Sequence, residues 1–80
     1  MLPEKLAYMA NQIGKFFASQ GHEKSVEAIA DHLKKFWDPR MRAAILTDLD
    51  AGRANLDPTV REAVGQLRTT HEAAQEEKAP

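Results

Sequence analysis

FWDPRMRAAI (36–45) decides the fold of this chain. Proline holds the residue before it in extended geometry, so a helix arriving through Phe36 and Trp37 stops at Asp38. Aspartate is a good N-cap. Pro39, at the first helical position, gives up an amide that has no intrahelical partner in any case. One short stretch therefore closes one helix and opens another. The device recurs in DPTVREAV (57–64), which shares with DPRMRAAI (38–45) the pattern Asp-Pro-x-apolar-Arg-x-Ala-apolar. The two are read as similarly built helix starts, because a single short recurrence is too little for a repeat architecture.

Upstream of the junction, Val26, Ile29, Ala30, Leu33, Phe36 and Trp37 form the apolar stripe of a helix that begins near residue 23. Lys34 and Lys35 stand in its last turn, where positive charge suits the helix dipole, and Asp31 is placed to pair with Lys35 one turn on. Further upstream, Pro3 and Glu4 suit a first turn, and Leu6, Met9, Ile13, Phe16 and Phe17 recur at three- and four-residue spacing. Ala7, Gly14 and Ala18 make a second line of small residues that permits close helix approach, and Gly21 is placed to end the segment in the left-handed region.

Downstream, Met41, Ile45 and Leu49 share one face with Leu46 beside it, and Gly52 ends that helix. Val60, Val64 and Leu67, with Ala63 beside them, form a narrow stripe on the last helix. From Thr69 onward the only apolar residues before the final proline are alanines, in THEAAQEEKAP. The expectation is an all-α fold: a small helical bundle of three main helices plus a shorter fourth. Residues 1–68 form the domain, and residues 69–80 a polar, frayed tail.

Eighty residues with one modest core make a marginally stable unit, and small folds of this size often rely on disulfides, a metal or a partner. No cysteine is present, which removes disulfides, thiol chemistry and iron–sulfur ligation. His22, His32 and His71 are far apart and stand in no metal-ligand motif. A partner protein is the compensation left open. Eleven basic against twelve acidic residues give a net charge of −1 and no general attraction to nucleic acid. Neither a membrane span of about 20 apolar residues nor the continuous apolar run of a signal peptide is present, so a cytoplasmic protein is expected.

Catalytic groups are equally absent from the pattern. Ser19 and Ser25 lie in no nucleophile motif, and Gly14, Gly21, Gly52 and Gly65 are isolated rather than grouped in a phosphate loop. Glu23, Glu27 and Asp31 are read as a solvated helix face, and His32 as a residue flanking the apolar stripe. KKFWDPRMR (34–42) stands out, with two aromatics and four basic groups around one helix junction. Arg40 sits in a first helical turn, where positive charge is mildly unfavourable, whereas Arg42 and Arg61 each follow an aspartate by four residues that can offset their charge. Phe36 and Trp37 fill the core or divide their rings between core and a partner, and Trp and Arg are enriched at binding hot spots. Phe36, Trp37, Arg40 and Arg42 are thus the candidate partner-binding residues. No catalytic, metal or cofactor-binding residue is assigned.

MANQIGKFFASQ (9–20), IADHLKKFWDPRMR (29–42), LDAG (49–52) and LDPTVREAVGQL (56–67) carry a family resemblance over most of the chain up to Leu67. The chain resembles the small delta subunit of the cytoplasmic, NAD-dependent, molybdenum-containing formate dehydrogenases, with FWDPRMR as the most specific segment. The resemblance implies a non-catalytic accessory subunit that assists assembly, molybdenum-cofactor insertion or stability of a complex that oxidises formate to carbon dioxide. It also implies partners. An alpha subunit carries the molybdenum–dinucleotide centre and iron–sulfur clusters. Beta and gamma subunits carry FMN and iron–sulfur clusters and deliver electrons to NAD. No cofactor is implied for this chain. Two other readings stand beside it: a stand-alone helical protein–protein adaptor, and a small nucleic-acid-binding domain using Lys34, Lys35, Arg40 and Arg42.

Overall fold

The computed structural model describes residues 2–78, with side chains described from Leu2 to Arg68. Four helices follow one another, and no strand occurs among the described residues: α1 (Pro3–Phe17), α2 (His22–Phe36), α3 (Pro39–Asp50) and α4 (Pro58–Lys78). A short 3-10 turn, Ala18–Gln20, links the first two. The small helical bundle expected from the apolar periodicity is present. The expectation of a shorter fourth helix is corrected, because α4 is the longest at 21 residues. Its alanine- and glutamate-rich continuation has the propensity to extend the helix without any large docking residue. The side chains of the segment read as a tail, residues 69–80, lie outside the described residues.

Both Asp-Pro helix starts are present, and they are built differently. At Asp38 the side-chain Oδ1 accepts a 2.9 Å hydrogen bond from the Met41 amide, the N-cap geometry expected there. At Asp57 the carboxylate makes no such bond among the described residues. Instead the backbone there is held from α1: Asn11 donates from Nδ2 to the Asn55 carbonyl and accepts from the Asp57 amide, both at 3.0 Å. The connection between α3 and α4 is thus fastened by an amide side chain on the first helix.

Helix ends show a second difference. Phe17, not a glycine, ends α1, and Gly21 takes φ 89°, ψ 161°, an extended positive-φ conformation open essentially to glycine alone. Gly21 therefore serves as the N-cap of α2 rather than as the left-handed end of α1. Gly52 follows α3 as expected, at φ 75°. Its amide reaches the Leu49 carbonyl at 3.1 Å and the Arg53 amide reaches the Asp48 carbonyl at 2.8 Å, the paired bonds of a Schellman end.

The core lies between all four helices. It contains Leu6, Ala7 and Ala10 of α1, Val26, Ile29, Ala30 and Leu33 of α2, Ile45 and Leu46 of α3, and Val60, Ala63, Val64 and Leu67 of α4, closed by Trp37 and Leu56 from the connections. The stripe on α4, narrow in sequence, is wholly buried, and α4 packs most extensively on α2 and α3. Alanine and glycine on α1 bring that helix close: a Cβ on Gly14 would lie 2.3 Å from Val60 Cγ2. Phe16 is a correction to the α1 stripe, since it is 80% exposed, while Met9, Ile13 and Phe17 are only partly buried.

Candidate partner-binding surface

The junction between α2 and α3 separates its four candidate residues into two inside and two outside. Trp37 is 6% exposed and belongs to the core, its backbone extended at φ −88°, ψ 138°, and Asp38 after it is extended at φ −72°, ψ 164°, as the proline that follows Asp38 requires. Arg42 turns back across the junction. Its Nη1 donates to the Trp37 carbonyl at 2.7 Å and the Lys34 carbonyl at 2.8 Å, with the Leu33 carbonyl at 3.5 Å. A guanidinium thus satisfies the Lys34 and Trp37 carbonyls, which the end of α2 leaves without amide partners, while the Leu33 carbonyl also accepts from the Trp37 amide. The offset of Arg42 by Asp38 does not take the form of an ion pair, since Asp38 caps α3 instead.

Phe36 and Arg40 point outward. Phe36 is 72% exposed, although it continues the α2 stripe, because it stands at the edge of that stripe against half-buried His32, while Trp37 one residue on turns into the core. Arg40 is exposed and has no hydrogen bond or ion pair among the described residues. It lines a groove with Leu6, Asp38, Met41 and Ala44. By contrast Lys35 is engaged by Asp31 at 2.9 Å, the intrahelical pair anticipated from their spacing.

A second feature was not legible as a unit in the sequence. Phe16, Phe17, His32 and Phe36 form one aromatic row across α1 and α2. Ring centroids are 5.0 Å apart for Phe16 and Phe17, 6.1 Å for Phe17 and His32, and 4.7 Å for His32 and Phe36. A largely apolar groove lies against it, lined by Gln12, Ile13, Phe16, Phe17 and His32. The available signal was the excess of apolar positions on α1: one helix face buries only about three or four residues in two turns, and this segment carries more.

Polar side chains elsewhere hold the fold together. Ser25 is buried and donates to the Phe17 carbonyl at 2.7 Å, and Arg53 holds the buried Asp48 through Nη2 at 3.1 Å. His22 pairs through Nε2 with Glu62 of α4, its Nδ1 3.3 Å from Thr59 Oγ1. This closes one side of a recess lined by Lys15, Ser25, Asp57 and Thr59. Among the described residues no cluster of three or more His, Cys, Asp or Glu side chains is arranged to hold a metal ion, and no helix is long and apolar enough to cross a membrane.

Comparison with curated proteins and with solved structures gives no match. The family model described as NADH-dependant formate dehydrogenase delta subunit FdsD matches residues 5–64, which include α1 from Lys5 onward, α2, α3 and the buried start of α4. That span contains the Asp38 and Asp57 helix starts, the Asn11 clamp and the aromatic row. This chain therefore belongs to the delta-subunit family of NADH-dependent formate dehydrogenase, an accessory subunit of that enzyme.

Proposed function

We propose that this chain binds the large alpha subunit of a cytoplasmic formate dehydrogenase and assists its assembly, molybdenum-cofactor insertion or stability. The beta and gamma subunits complete the complex. In this reading the molybdenum–dinucleotide cofactor, iron–sulfur clusters and FMN belong to the partner subunits, NAD is the substrate of the holoenzyme, and this chain carries none of them. The observation that supports the reading most is the α2–α3 junction. Asp38, Pro39 and Arg42 fix its backbone, while Phe36 and Arg40 stand exposed on either side of it. A rigid platform with an exposed ring and an unengaged guanidinium suits recognition of another protein, because little side-chain or backbone ordering remains to oppose binding.

Phe36 and Arg40 are the direct contacts in this proposal. Trp37 and Arg42 support them from inside, the ring by filling the core and the guanidinium by locking the junction. The test is to produce the alpha subunit with and without this chain, and to measure its molybdenum content, its yield and formate oxidation by the complex. Lower molybdenum content at equal yield identifies cofactor insertion; lower yield at equal content identifies stabilisation or assembly. Equal values in all three measurements refute the proposal. In the same system Arg40→Glu is expected to weaken copurification about tenfold, as loss of one hot-spot contact does, with the melting temperature of the chain unchanged.

A further inference from the structure

The large apolar side chains left exposed are not spread over the molecule. Leu2, Tyr8, Phe16 and Phe36 are the exposed ones among the described residues; they belong to α1, to the residue just before it, or to the end of α2. None lies on α3 or on the described side chains of α4. Phe16 and Phe36 close the two ends of the aromatic row, with Phe17 and His32 between them. On α1, residues 5, 9, 12, 13 and 16 fall on one side of the helix at about 100° per residue. Partly buried Met9 and Ile13 thus extend the apolar strip along α1 beside the row.

Unpaired cations outnumber unpaired anions around this strip. Lys5 is the ionisable residue on that side of α1, and it has no ion pair among the described residues. Lys35 and Asp31 neutralise one another on α2. Arg40, four residues beyond Phe36, has no ion pair among the described residues, and the one carboxylate beside it, Asp38, caps α3. A chain of net charge −1 therefore presents more unpaired cations than anions at the margin of its exposed aromatic row. A second copy of the chain fits this poorly, because a two-fold dimer sets the same patch against itself and brings like charges together. An apolar segment flanked by carboxylates fits it well, the aromatic row taking the apolar side chains and the margin taking the charges.

We propose that the Phe16–Phe17–His32–Phe36 row is the docking surface for a helix of the alpha subunit whose apolar face is bordered by aspartate or glutamate. This rests on the reading that the chain binds that subunit, and it extends the contact from the α2–α3 junction along α1. The test uses the full chain coexpressed with the other subunits, a tag on alpha, and three forms: wild type, the double variant Phe16→Gln/Phe36→Gln, and Lys5→Glu. Because Phe16 and Phe36 are exposed, the double variant is expected to keep its melting temperature while copurification falls at least about tenfold. Lys5→Glu, which alters no packing, is expected to lower it about threefold, with the difference from wild type shrinking at high salt. Failure of the wild type to copurify overturns the alpha-subunit reading itself. Copurification of wild type and both variants to the same extent overturns this surface alone. A wild-type dimer in sedimentation, made monomeric by the double variant without loss of alpha binding, assigns the row to a second copy and likewise overturns the proposal.

Discussion

Arg42 and Arg61 show at the scale of single residues what the repeated Asp-Pro pattern does. Each stands four residues after its aspartate, and each donates to the carbonyl of the residue just before that aspartate: Arg42 to Trp37, and Arg61 Nη2 to Leu56 at 3.2 Å. Trp37 and Leu56 are both buried core residues whose chain must then turn out to the cap. The arginine therefore ties the last core residue of the connection to the first turn of the next helix. Replacing Arg42 by methionine keeps the helix and the apolar stem but leaves the Trp37 and Lys34 carbonyls without their donor. A loss of about 1.5–3 kcal/mol is expected in urea unfolding, the range for hydrogen bonds to charged groups. Gly14 makes the second residue-scale case. Alanine there gains about 1 kcal/mol of helix propensity. It also drives a Cβ to 2.3 Å from Cγ2 of Val60, a buried β-branched side chain with little freedom to move. Overpacking of about 1–3 kcal/mol wins, so Gly14→Ala is expected to destabilise. In a double-mutant cycle, Val60→Ala should remove most of that penalty. Additive losses at the two positions would show that they do not meet.

At the scale of the helices, the two similar starts depend on different supports. Asp38→Ala removes a cap hydrogen bond and is expected to cost about 1 kcal/mol, while Asp57→Ala removes none of those described and should cost less. The order reverses when the distant anchor is changed. Asn11→Ala removes both bonds to the α3–α4 connection and leaves α1 itself helical. Its expected signature is faster amide exchange at residues 55–57, with α1 and α2 little affected. Uniform acceleration across all four helices would show instead that the clamp stabilises the molecule as a whole. The spacing of DPRMRAAI and DPTVREAV made both starts legible, since a cap and a proline act within one turn. The Asn11 clamp was not legible, because its partners lie 44 and 46 residues away in the chain.

At the scale of the molecule, α4 is the helix on which α2 and α3 close, so its stripe belongs to the core and is unavailable for an interface. The exposed apolar surface is carried by α1 and the end of α2 instead. We propose that residues 1–68 suffice for the fold, since the last core residue among the described side chains is Leu67 and the Arg68–Asp50 ion pair adds a tie at the same level. A chain ending at Arg68 is expected to keep the circular dichroism per residue of a helical bundle and to melt within a few degrees of the full chain. A drop corresponding to more than about 1 kcal/mol, roughly 4–8 °C for a domain this small, would assign a stabilising role to residues 69–80.

The sequence by itself determined the helix count, the two Asp-Pro boundaries, the buried stripes of α2 and α4, and the family, because each is written in local spacing or in a short run of residues. Tertiary structure decided which apolar residues stay outside. Phe16 and Phe36 continue the periodicity of their helices, yet Phe16 is on the far flank of α1 and Phe36 is on the flank of α2 beside His32. Tertiary structure also decided that Trp37 faces inward and Arg42 folds back, while Arg40 stays exposed with no partner among the described residues. Periodicity states which side of a helix is apolar. How much of that side is covered depends on the lengths and crossing of the neighbouring helices, which no single segment of sequence contains.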